Sequence, residues 1–270
     1  MDHRPKKSLG QNFLIDPNLQ RKIVDSLGLG DEDDVLEIGP GRGALTAHLA
    51  GRCRSLTLVE LDRTLARQLE EEYGSVPGVR VIQGDILEHH PASICTAVSD
   101  LKVIGNIPYN ITSPILFFLL RPPRPREILL MVQKEVGDRI LASPGTSTYG
   151  ALSVGVQNVA RVERVLRVPP TAFRPKPAVE SVVLRIVPLR PSPLDPGEEE
   201  SVRSVTRLAF QQRRKQFQTI LRKHSELALA PKQVAELETR TGFDLRRRPE
   251  TFSPTEFVLI SRLLRELGCI

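Results

Sequence analysis

The sequence is poor in cysteine, with only Cys53, Cys95 and Cys269 among 270 residues. These three are odd in number, lie far apart and lack the spacing of metal ligands, which argues against a disulfide framework and against a zinc site. Cysteine usage of this kind fits a reducing cytosol. We therefore predict a cytoplasmic protein without a bound metal.

Long apolar segments are also missing, since no run of about 18 apolar residues occurs. The N-terminus is basic at Arg4, Lys6 and Lys7, but no apolar stretch of signal-peptide length follows it. A membrane protein is thus not expected. Lys and Arg outnumber Asp and Glu by 38 to 32, and the resulting net charge of +6 weakly favours a polyanionic partner.

Short runs rich in Val, Ile and Leu alternate with helix-length amphipathic segments up to about residue 188. Such runs predict strands buried on both faces of a mostly parallel sheet in an α/β fold. The last two runs are joined only by a proline-rich stretch, so we expect one antiparallel strand at one end of the sheet. The predicted strands are residues 35–38, 56–60, 79–82, 103–105, 128–133, 159–168 and 181–187.

Four prolines between residues 188 and 196 interrupt this alternation, and the pattern beyond them is helical. We therefore predict two domains, an α/β domain at residues 1–190 and a small all-helical domain at residues 191–270.

A glycine turn follows the first predicted strand and leads into a helical segment at residues 44–50. Gly39 and Gly41 allow a ligand to approach the backbone closely, and a helix N-terminus offers unpaired N–H groups. Gly39, Gly41 and Ala44 also satisfy the dinucleotide-binding pattern. A tight turn without any ligand remains an alternative.

Two acidic residues end the next two predicted strands. Glu60 is placed to accept hydrogen bonds from ribose hydroxyls, and Asp85 to accept one from the amino group of an adenine. Either could instead be merely solvated. A nicotinamide dinucleotide would also satisfy the glycine turn and Glu60, so these positions alone do not identify the ligand.

The segment Asn106, Ile107, Pro108 and Tyr109 ends the fourth predicted strand, where open α/β sheets place their active sites. An aromatic amine is a poor nucleophile because its lone pair is delocalised into the ring. The side-chain oxygen of Asn106 and the carbonyl of Ile107 could accept hydrogen bonds from both N–H groups of the amine. These bonds would strengthen as positive charge develops on the nitrogen. Pro108 would aim that carbonyl and Tyr109 would stack on the adenine. A tight Asn-Pro turn with a core tyrosine is the alternative.

Two further groups of residues are candidates for contact with RNA. Phe173, in a proline-braced loop, would stack on the opposite face of the target base if it is exposed, and would otherwise pack beneath the loop. Between residues 201 and 224 there are seven basic residues and no acid, which predicts phosphate contacts, although a solvated basic face is also possible. The predicted RNA-binding residues are Arg213, Arg214, Lys215, Arg222 and Lys223.

Several motifs, in order along nearly the whole chain, resemble the bacterial KsgA/RsmA family of small-subunit ribosomal RNA dimethyladenosine transferases. The resemblance is carried by residues 7–14, 37–41, 59–62, 84–86, 106–110, 149–153, 173–181 and 210–215.

This resemblance implies a Rossmann-like methyltransferase fold that binds S-adenosylmethionine through Asn12, Leu14, Gly39, Glu60, Asp85 and Asn106. It also implies N6,N6-dimethylation of two adjacent adenosines in the 3′-terminal hairpin of 16S rRNA, linked to small-subunit assembly. We expect a monomer that acts on the small subunit or its assembly intermediate.

Three other functions stay open at this point. An erythromycin-resistance-type methyltransferase of 23S rRNA would share the glycine turn and the Asn106 loop. A nicotinamide-dependent oxidoreductase would leave that loop without a purpose. A non-catalytic RNA-binding assembly or transcription factor could retain the same fold.

Overall fold

The computed structural model describes residues 10–95 and 97–270. Its main feature is a seven-stranded sheet with the order β4-β3-β2-β5-β6-β9-β7, accompanied by a two-stranded pair of β1 and β8. The strands are β1 Phe13–Leu14, β2 Asp34–Ile38, β3 Ser55–Glu60, β4 Val79–Gln83, β5 Lys102–Asn106, β6 Glu127–Gln133, β7 Ala160–Val168, β8 Phe173–Arg174 and β9 Ser181–Pro188.

The direction of the strands confirms the predicted fold class. Strands β4, β3, β2, β5 and β6 are parallel to one another, whereas β9 runs antiparallel to β6. The last two predicted strands are neighbours at one end of the sheet, with β9 inside and β7 at the edge. The central strand β2 is buried along its whole length, as expected for a parallel strand covered on both faces.

Helices follow most of the strands and begin where the sequence supplies N-terminal caps. Asp16, Asp62, Asp195 and Ser253 each accept a backbone hydrogen bond at the start of a helix. The helices are α1 Pro17–Ser26, α2 Thr46–Leu49, α3 Arg63–Tyr73, α4 Pro91–Ile94, α5 Thr112–Leu119, α6 Lys134–Leu141, α7 Ala151–Gln157, α8 Pro196–Gln211, α9 Phe217–Lys223, α10 Pro231–Thr241 and α11 Pro254–Glu266. Within the described ranges, no helix is both long and apolar enough to cross a bilayer.

The chain forms two compact units, Met1–Gly137 with Val162–Pro188, and Asp138–Arg161 with Leu189–Ile270. The later division lies close to the predicted boundary at residue 190. Residues 138–161, however, belong to the second unit, which differs from the predicted single cut. Tyr149 shows the cause: its hydroxyl donates to the carbonyl of Phe252 at 2.9 Å, and its ring lies 6.0 Å from that of Phe210.

In the first unit, a buried ion pair holds the start of β5. The ammonium of Lys102, the first residue of β5, donates to Asp33 at 2.8 Å and to the carbonyls of Leu27 and Gly28 at 3.1 and 2.7 Å. All three ammonium protons therefore have acceptors, as a buried lysine requires. The same strand ends at Asn106.

Candidate functional site

Four strand ends meet around one cavity in the first unit. The glycine turn after β2, Glu60 at the end of β3, Asp85 after β4 and Asn106 at the end of β5 all line it. This is the carboxyl edge of the parallel strands, where ligands bind in open α/β sheets. Residues 10–14 line the same cavity, so the structure brings Asn12 and Leu14 together with the other predicted cofactor residues. Residues 7–9 of the first signature segment lie outside the described residues.

The glycine turn has a backbone that side chains would not tolerate. Gly39, Gly41 and Gly43 have φ angles of +63°, +60° and +75°, in the left-handed region that favours glycine. A Cβ on Gly41 would also lie 3.2 Å from the ring of Phe13. Because it carries no side chains at these positions, the backbone of the turn can be approached closely by a ligand in the cavity.

Glu60 supports this turn and faces the cavity. Its two carboxylate oxygens accept from the backbone N–H of Gly41 at 2.9 Å and of Asp62 at 2.8 Å. The side chain is buried, and burial raises the pKa of its carboxyl group above the usual range, although the two backbone donors oppose that shift. Each oxygen has a second lone pair, so the carboxylate can still accept from a ligand hydroxyl.

Glu37 is a cavity-lining acid that the sequence reasoning did not single out, although it lies within a signature segment. Only 1% of its surface is exposed, and one carboxyl oxygen accepts from the hydroxyl of Thr46 at 2.7 Å. Burial, reinforced by the charge of Glu60, raises the pKa of Glu37 to about 8. Its carboxyl group is therefore mainly protonated at neutral pH.

Asp85 lies where the sequence placed it, after β4 and on the cavity wall. It caps a short 3-10 helix at Ile86–Glu88, with one oxygen accepting from the backbone N–H of Leu87 at 2.9 Å. This bond fixes the orientation of the carboxylate, and its remaining lone pairs can accept an amino group of a ligand.

Asn106 is oriented by the chain segment that precedes β1. Its side-chain nitrogen donates to the backbone carbonyl of Asn12 at 3.1 Å, and the side chain of Asn12 donates in turn to the carbonyl of Gly10 at 3.2 Å. Because the amide nitrogen is engaged, its oxygen lies at the other end of the planar amide as an acceptor. The glycine turn is close by, since a Cβ on Gly39 would lie 3.8 Å from the carbonyl oxygen of Asn106.

Tyr109 also lines the cavity, immediately after Pro108. Its hydroxyl is 2.7 Å from the hydroxyl of Ser181 at the start of β9. Burial raises the pKa of the Tyr109 phenol, so it remains protonated at neutral pH. The bond to Ser181 holds the ring in place and leaves the aromatic face as the surface that a ligand could meet.

Phe173 corrects one expectation, because its side chain is not exposed. It is 3% exposed and belongs to the hydrophobic core of the first unit. The pairing of β1 with β8 explains this position: Phe173 lies opposite the buried Leu14, and the next residue, Arg174, lies opposite Phe13. Alternate residues of a strand point to opposite faces, so Arg174 is exposed in place of Phe173.

Arg213, one of the predicted RNA-binding residues, is held by partners within the second unit. Its guanidinium pairs with Glu250 at 2.5 Å and donates to the carbonyls of Ser147 and Thr146 at 2.6 and 2.9 Å. Through these three partners, Arg213 joins residues 146–147 to Glu250 within the second unit. The same unit pairs Arg207 with Glu226 at 2.7 Å, so the charge repulsion expected for this segment is partly relieved by acids elsewhere in the chain.

The other predicted RNA-binding residues keep exposed charges. Arg214 and Lys215 follow α8, and Arg222 and Lys223 occupy the last turn of α9. All four are exposed, and no ion pair involves them in the part of the chain that the structure describes. Cations at the C-terminal end of α9 are also favoured by the helix dipole.

The charges around the cavity restrict what it can bind. Three carboxyl groups, those of Glu37, Glu60 and Asp85, line it together with one guanidinium, that of Arg42. The remaining wall is largely apolar or glycine backbone. In residues 10–95 and 97–270, no group of three or more His, Cys, Asp and Glu could hold a metal ion. The cavity is thus suited to an organic ligand that carries hydroxyl and amino groups and a positive charge.

Two solved structures resemble this fold over almost the whole chain. A dimethyladenosine transferase from Plasmodium falciparum matches with a TM-score of 0.78 at 24% identity, covering 95% of this chain and 98% of the other, a likeness that supports the fold alone. The 23S rRNA methyltransferase ErmE matches with a TM-score of 0.69 at 27% identity, covering 94% of this chain and all of the other.

Sequence relatives are more similar still. A protein of Prosthecochloris aestuarii is 46% identical over 264 residues, covering 97% of this chain and 95% of the relative. One of Geobacillus sp. (strain WCH70) is 40% identical over 268 residues, covering 97% and 92%. Both are named ribosomal RNA small subunit methyltransferase A. The family model described as ribosomal RNA adenine dimethylase matches residues 2–255, and the chain belongs to this family.

Proposed function

We propose that this protein transfers methyl groups from S-adenosylmethionine to the N6 atom of adenosine in small-subunit ribosomal RNA. The observation that carries the proposal is the orientation of Asn106, whose amide nitrogen is held by the carbonyl of Asn12 at 3.1 Å while its oxygen is left as an acceptor on the cavity wall. A nicotinamide-dependent oxidoreductase would have no use for this arrangement.

The cavity residues fit S-adenosylmethionine. When bound, this cofactor supplies an electrophilic methyl group on a positively charged sulfur. The acidic side chains of Glu60 and Asp85 suit its cationic character. Glu60 can accept from the ribose hydroxyls and Asp85 from the adenine amino group, while apolar side chains such as Ile86 contact the base. Asn12, Leu14, Gly39 and Gly41 complete the site.

The residues of the β5 end position the amine of the target adenosine. The side-chain oxygen of Asn106 and the backbone carbonyl of Ile107 accept hydrogen bonds from its two N–H groups, which concentrates the lone pair on nitrogen. Both interactions strengthen as positive charge develops, so they favour the transition state over the ground state. Tyr109 stacks on the base. The methylated amine is acidic and loses its proton to water, so no ionised base is required.

The substrate is inferred from the relatives and from the charges of the second unit. Relatives at 40–46% identity are named for the small subunit, which favours it over the large-subunit RNA of the ErmE match at 27%. We infer that the products are two adjacent N6,N6-dimethyladenosines in the 3′-terminal hairpin of 16S rRNA. Arg214, Lys215, Arg222 and Lys223 contact phosphates and position the RNA without reading its sequence.

Further parts of the proposal concern the biological setting. The protein acts as a cytoplasmic monomer on the small subunit or its assembly intermediate, and its modification step is linked to subunit assembly. A target base within structured RNA must be unpaired or turned out of its stack to reach the Asn106 oxygen.

The test is transfer of labelled methyl groups to purified small subunits that lack this modification. We expect incorporation of up to four methyl groups per subunit, because each of two adenosines takes two, and a primer-extension stop at two adjacent adenosines. Large subunits and naked large-subunit RNA serve as controls. Transfer to these instead would select the erythromycin-resistance-type function, and no transfer to any RNA would favour a non-catalytic assembly factor.

A further inference from the structure

The loop between β8 and β9 is attached at both ends to residues of the catalytic cavity. At its start, Arg174 pairs across the strands with Phe13, a residue that lines the cavity. At its end, the hydroxyl of Ser181 is 2.7 Å from that of Tyr109. Residues 175–180 therefore run beside the cavity mouth, and Lys176 within them is exposed.

The pairing register decides which side chains share a face of this small sheet. Cross-strand partners in an antiparallel pair project their side chains to the same face, with their Cα atoms about 4.5–5.5 Å apart. Leu14 and Phe173 share the face that points into the core. Phe13 and Arg174 share the opposite face, where the ring of Phe13 lies against Gly41 of the glycine turn.

The guanidinium of Arg42 lies on the ring of Phe13. The Cζ atom of Arg42 is 4.8 Å from the centroid of the Phe13 ring, a cation–π distance. Arg42 is exposed and lines the cavity. Phe13 thus has the guanidinium of Arg42 on its ring and Arg174 as its cross-strand partner, and Lys176 lies two residues beyond Arg174. We call Arg42, Arg174 and Lys176 the cationic rim.

We infer that the cationic rim binds the phosphate groups that flank the target adenosine, and that Arg174 and Lys176 are positioning residues for methyl transfer. This inference rests on the proposed function. A base inserted into the cavity leaves its own ribose and the two adjoining phosphates at the mouth, because only the base is turned out of the stack. Exposed Arg and Lys side chains at that mouth neutralise these phosphates.

The rim also explains how the acidic cavity can accept a polyanion. Its interior carries Glu60 and Asp85, which would repel the phosphates of an approaching RNA chain. Cations at the mouth offset this repulsion, and two of them, Arg174 and Lys176, do so without lining the cofactor cavity. Contacts inside the cavity then recognise the base, whereas phosphate contacts at the mouth position the RNA strand.

The experiment measures binding of a short fluorescent single-stranded oligoadenylate over a series of KCl concentrations. The test variant is Arg174→Gln/Lys176→Gln, since neither residue lines the cofactor cavity, whereas Arg42 does. The matched control is Arg121→Gln. Arg121 is equally exposed but lies in the connection from α5 to β6, at the opposite edge of the parallel strands.

The plot of log K against log salt should become shallower by about 1.4 for the double variant, since each phosphate contact on a single strand contributes about 0.7. The control should retain the wild-type slope. In methylation assays the double variant should raise KM for small subunits and leave kcat close to wild type, because phosphate contacts do not touch the reacting atoms.

An unchanged salt slope in the double variant would overturn the inference. The same holds for a loss of kcat at unchanged KM. Because oligoadenylate binding requires no methyl transfer, a wild-type protein that binds with the expected slope but methylates no small subunit would contradict the proposed function and leave the rim intact.

Discussion

The amide nitrogen of Asn106 donates to the backbone carbonyl of Asn12 at 3.1 Å, which joins the end of β5 to a segment 94 residues earlier in the chain. The bond removes the ambiguity of a primary amide, which can present either its oxygen or its nitrogen. Pairing of Phe13 and Leu14 with β8 holds that segment in place. Asn106, which we propose to accept a hydrogen bond from the amine, is therefore oriented before any substrate arrives, as effective electrostatic catalysis requires.

Replacing Asn106 by alanine should lower the turnover of methyl transfer by about 100-fold or more, by analogy with loss of one transition-state hydrogen-bonding group. Binding of S-adenosylhomocysteine, measured by calorimetry, should be largely retained, because Glu60 and Asp85 remain. Asn106→Asp is the sharper comparison. It keeps an acceptor oxygen but places a second oxygen against the Asn12 carbonyl, so it should also be impaired. Wild-type turnover in the alanine variant would contradict the mechanism.

Tyr109 should act through its ring more than through its hydroxyl. Tyr109→Phe removes one hydrogen bond to Ser181 and should reduce kcat by less than about tenfold. Tyr109→Ala also removes the stacking surface and should reduce kcat/KM by about 10-fold to 100-fold. Ser181→Ala is the control and should resemble Tyr109→Phe. If the phenylalanine variant is as inactive as the alanine variant, the hydroxyl rather than the ring is essential.

Glu37 should make the stability of the ligand-free protein depend on pH. Burial raises the pKa of this carboxyl from an ordinary 4.5 to about 8. Between these two values the folded state keeps a proton that the unfolded chain has released, so stability is highest below this window and falls as pH rises through it. Glu37→Gln mimics the protonated form and should remove a slope of up to about 1.4 kcal/mol per pH unit.

Urea unfolding of both proteins from pH 5 to pH 8, about the window that linkage defines, measures this difference directly. The advantage of Glu37→Gln over wild type should grow as pH increases. Because Gln can still accept from the Thr46 hydroxyl, the variant retains the native contact. Parallel pH profiles for the two proteins would show that Glu37 is ionised in the folded state.

The sequence predicted the sheet, the glycine turn and the Asn106 loop because each of these is encoded locally. Each of these features is determined by residues close to it in sequence. Examples are a glycine with positive φ, an acid at a strand end and the proline that follows Asn106 and Ile107. The carboxyl edge of a parallel sheet then brings these short segments together, so the cavity at Gly39, Glu60, Asp85 and Asn106 could be expected before the structure was known.

The features that the sequence left open or did not reveal depend on contacts between distant segments. The sequence left open whether Phe173 is exposed or packed beneath its loop, because its burial follows from pairing with Leu14 and nothing near Phe173 specifies that partner. Residues 138–161 join the second unit because Tyr149 bonds to Phe252, far along the chain. No prediction was made for Glu37 from the sequence, because its pKa is raised by burial and by the charge of Glu60, and a strand pattern does not reveal these surroundings.

The adjacent residues Arg213 and Arg214 should separate stability from RNA binding. Arg213→Gln leaves Glu250 and the carbonyls of Ser147 and Thr146 without their donor. It should lower the free energy of unfolding by about 1–2 kcal/mol, a modest figure because the side chain is one-third exposed. Arg214→Gln and Lys215→Gln, at exposed positions, should change that free energy by less than about 0.5 kcal/mol.

RNA binding should show the opposite pattern in these variants. Each of Arg214→Gln and Lys215→Gln should make the salt dependence of small-subunit binding shallower by about 0.7–0.9, the contribution of one phosphate contact. Arg213→Gln should leave the slope unchanged, because its guanidinium is already occupied by Glu250 and two carbonyls. A shallower slope in Arg213→Gln, with unfolding unaffected, would mean that this arginine leaves its partners for phosphate when RNA binds.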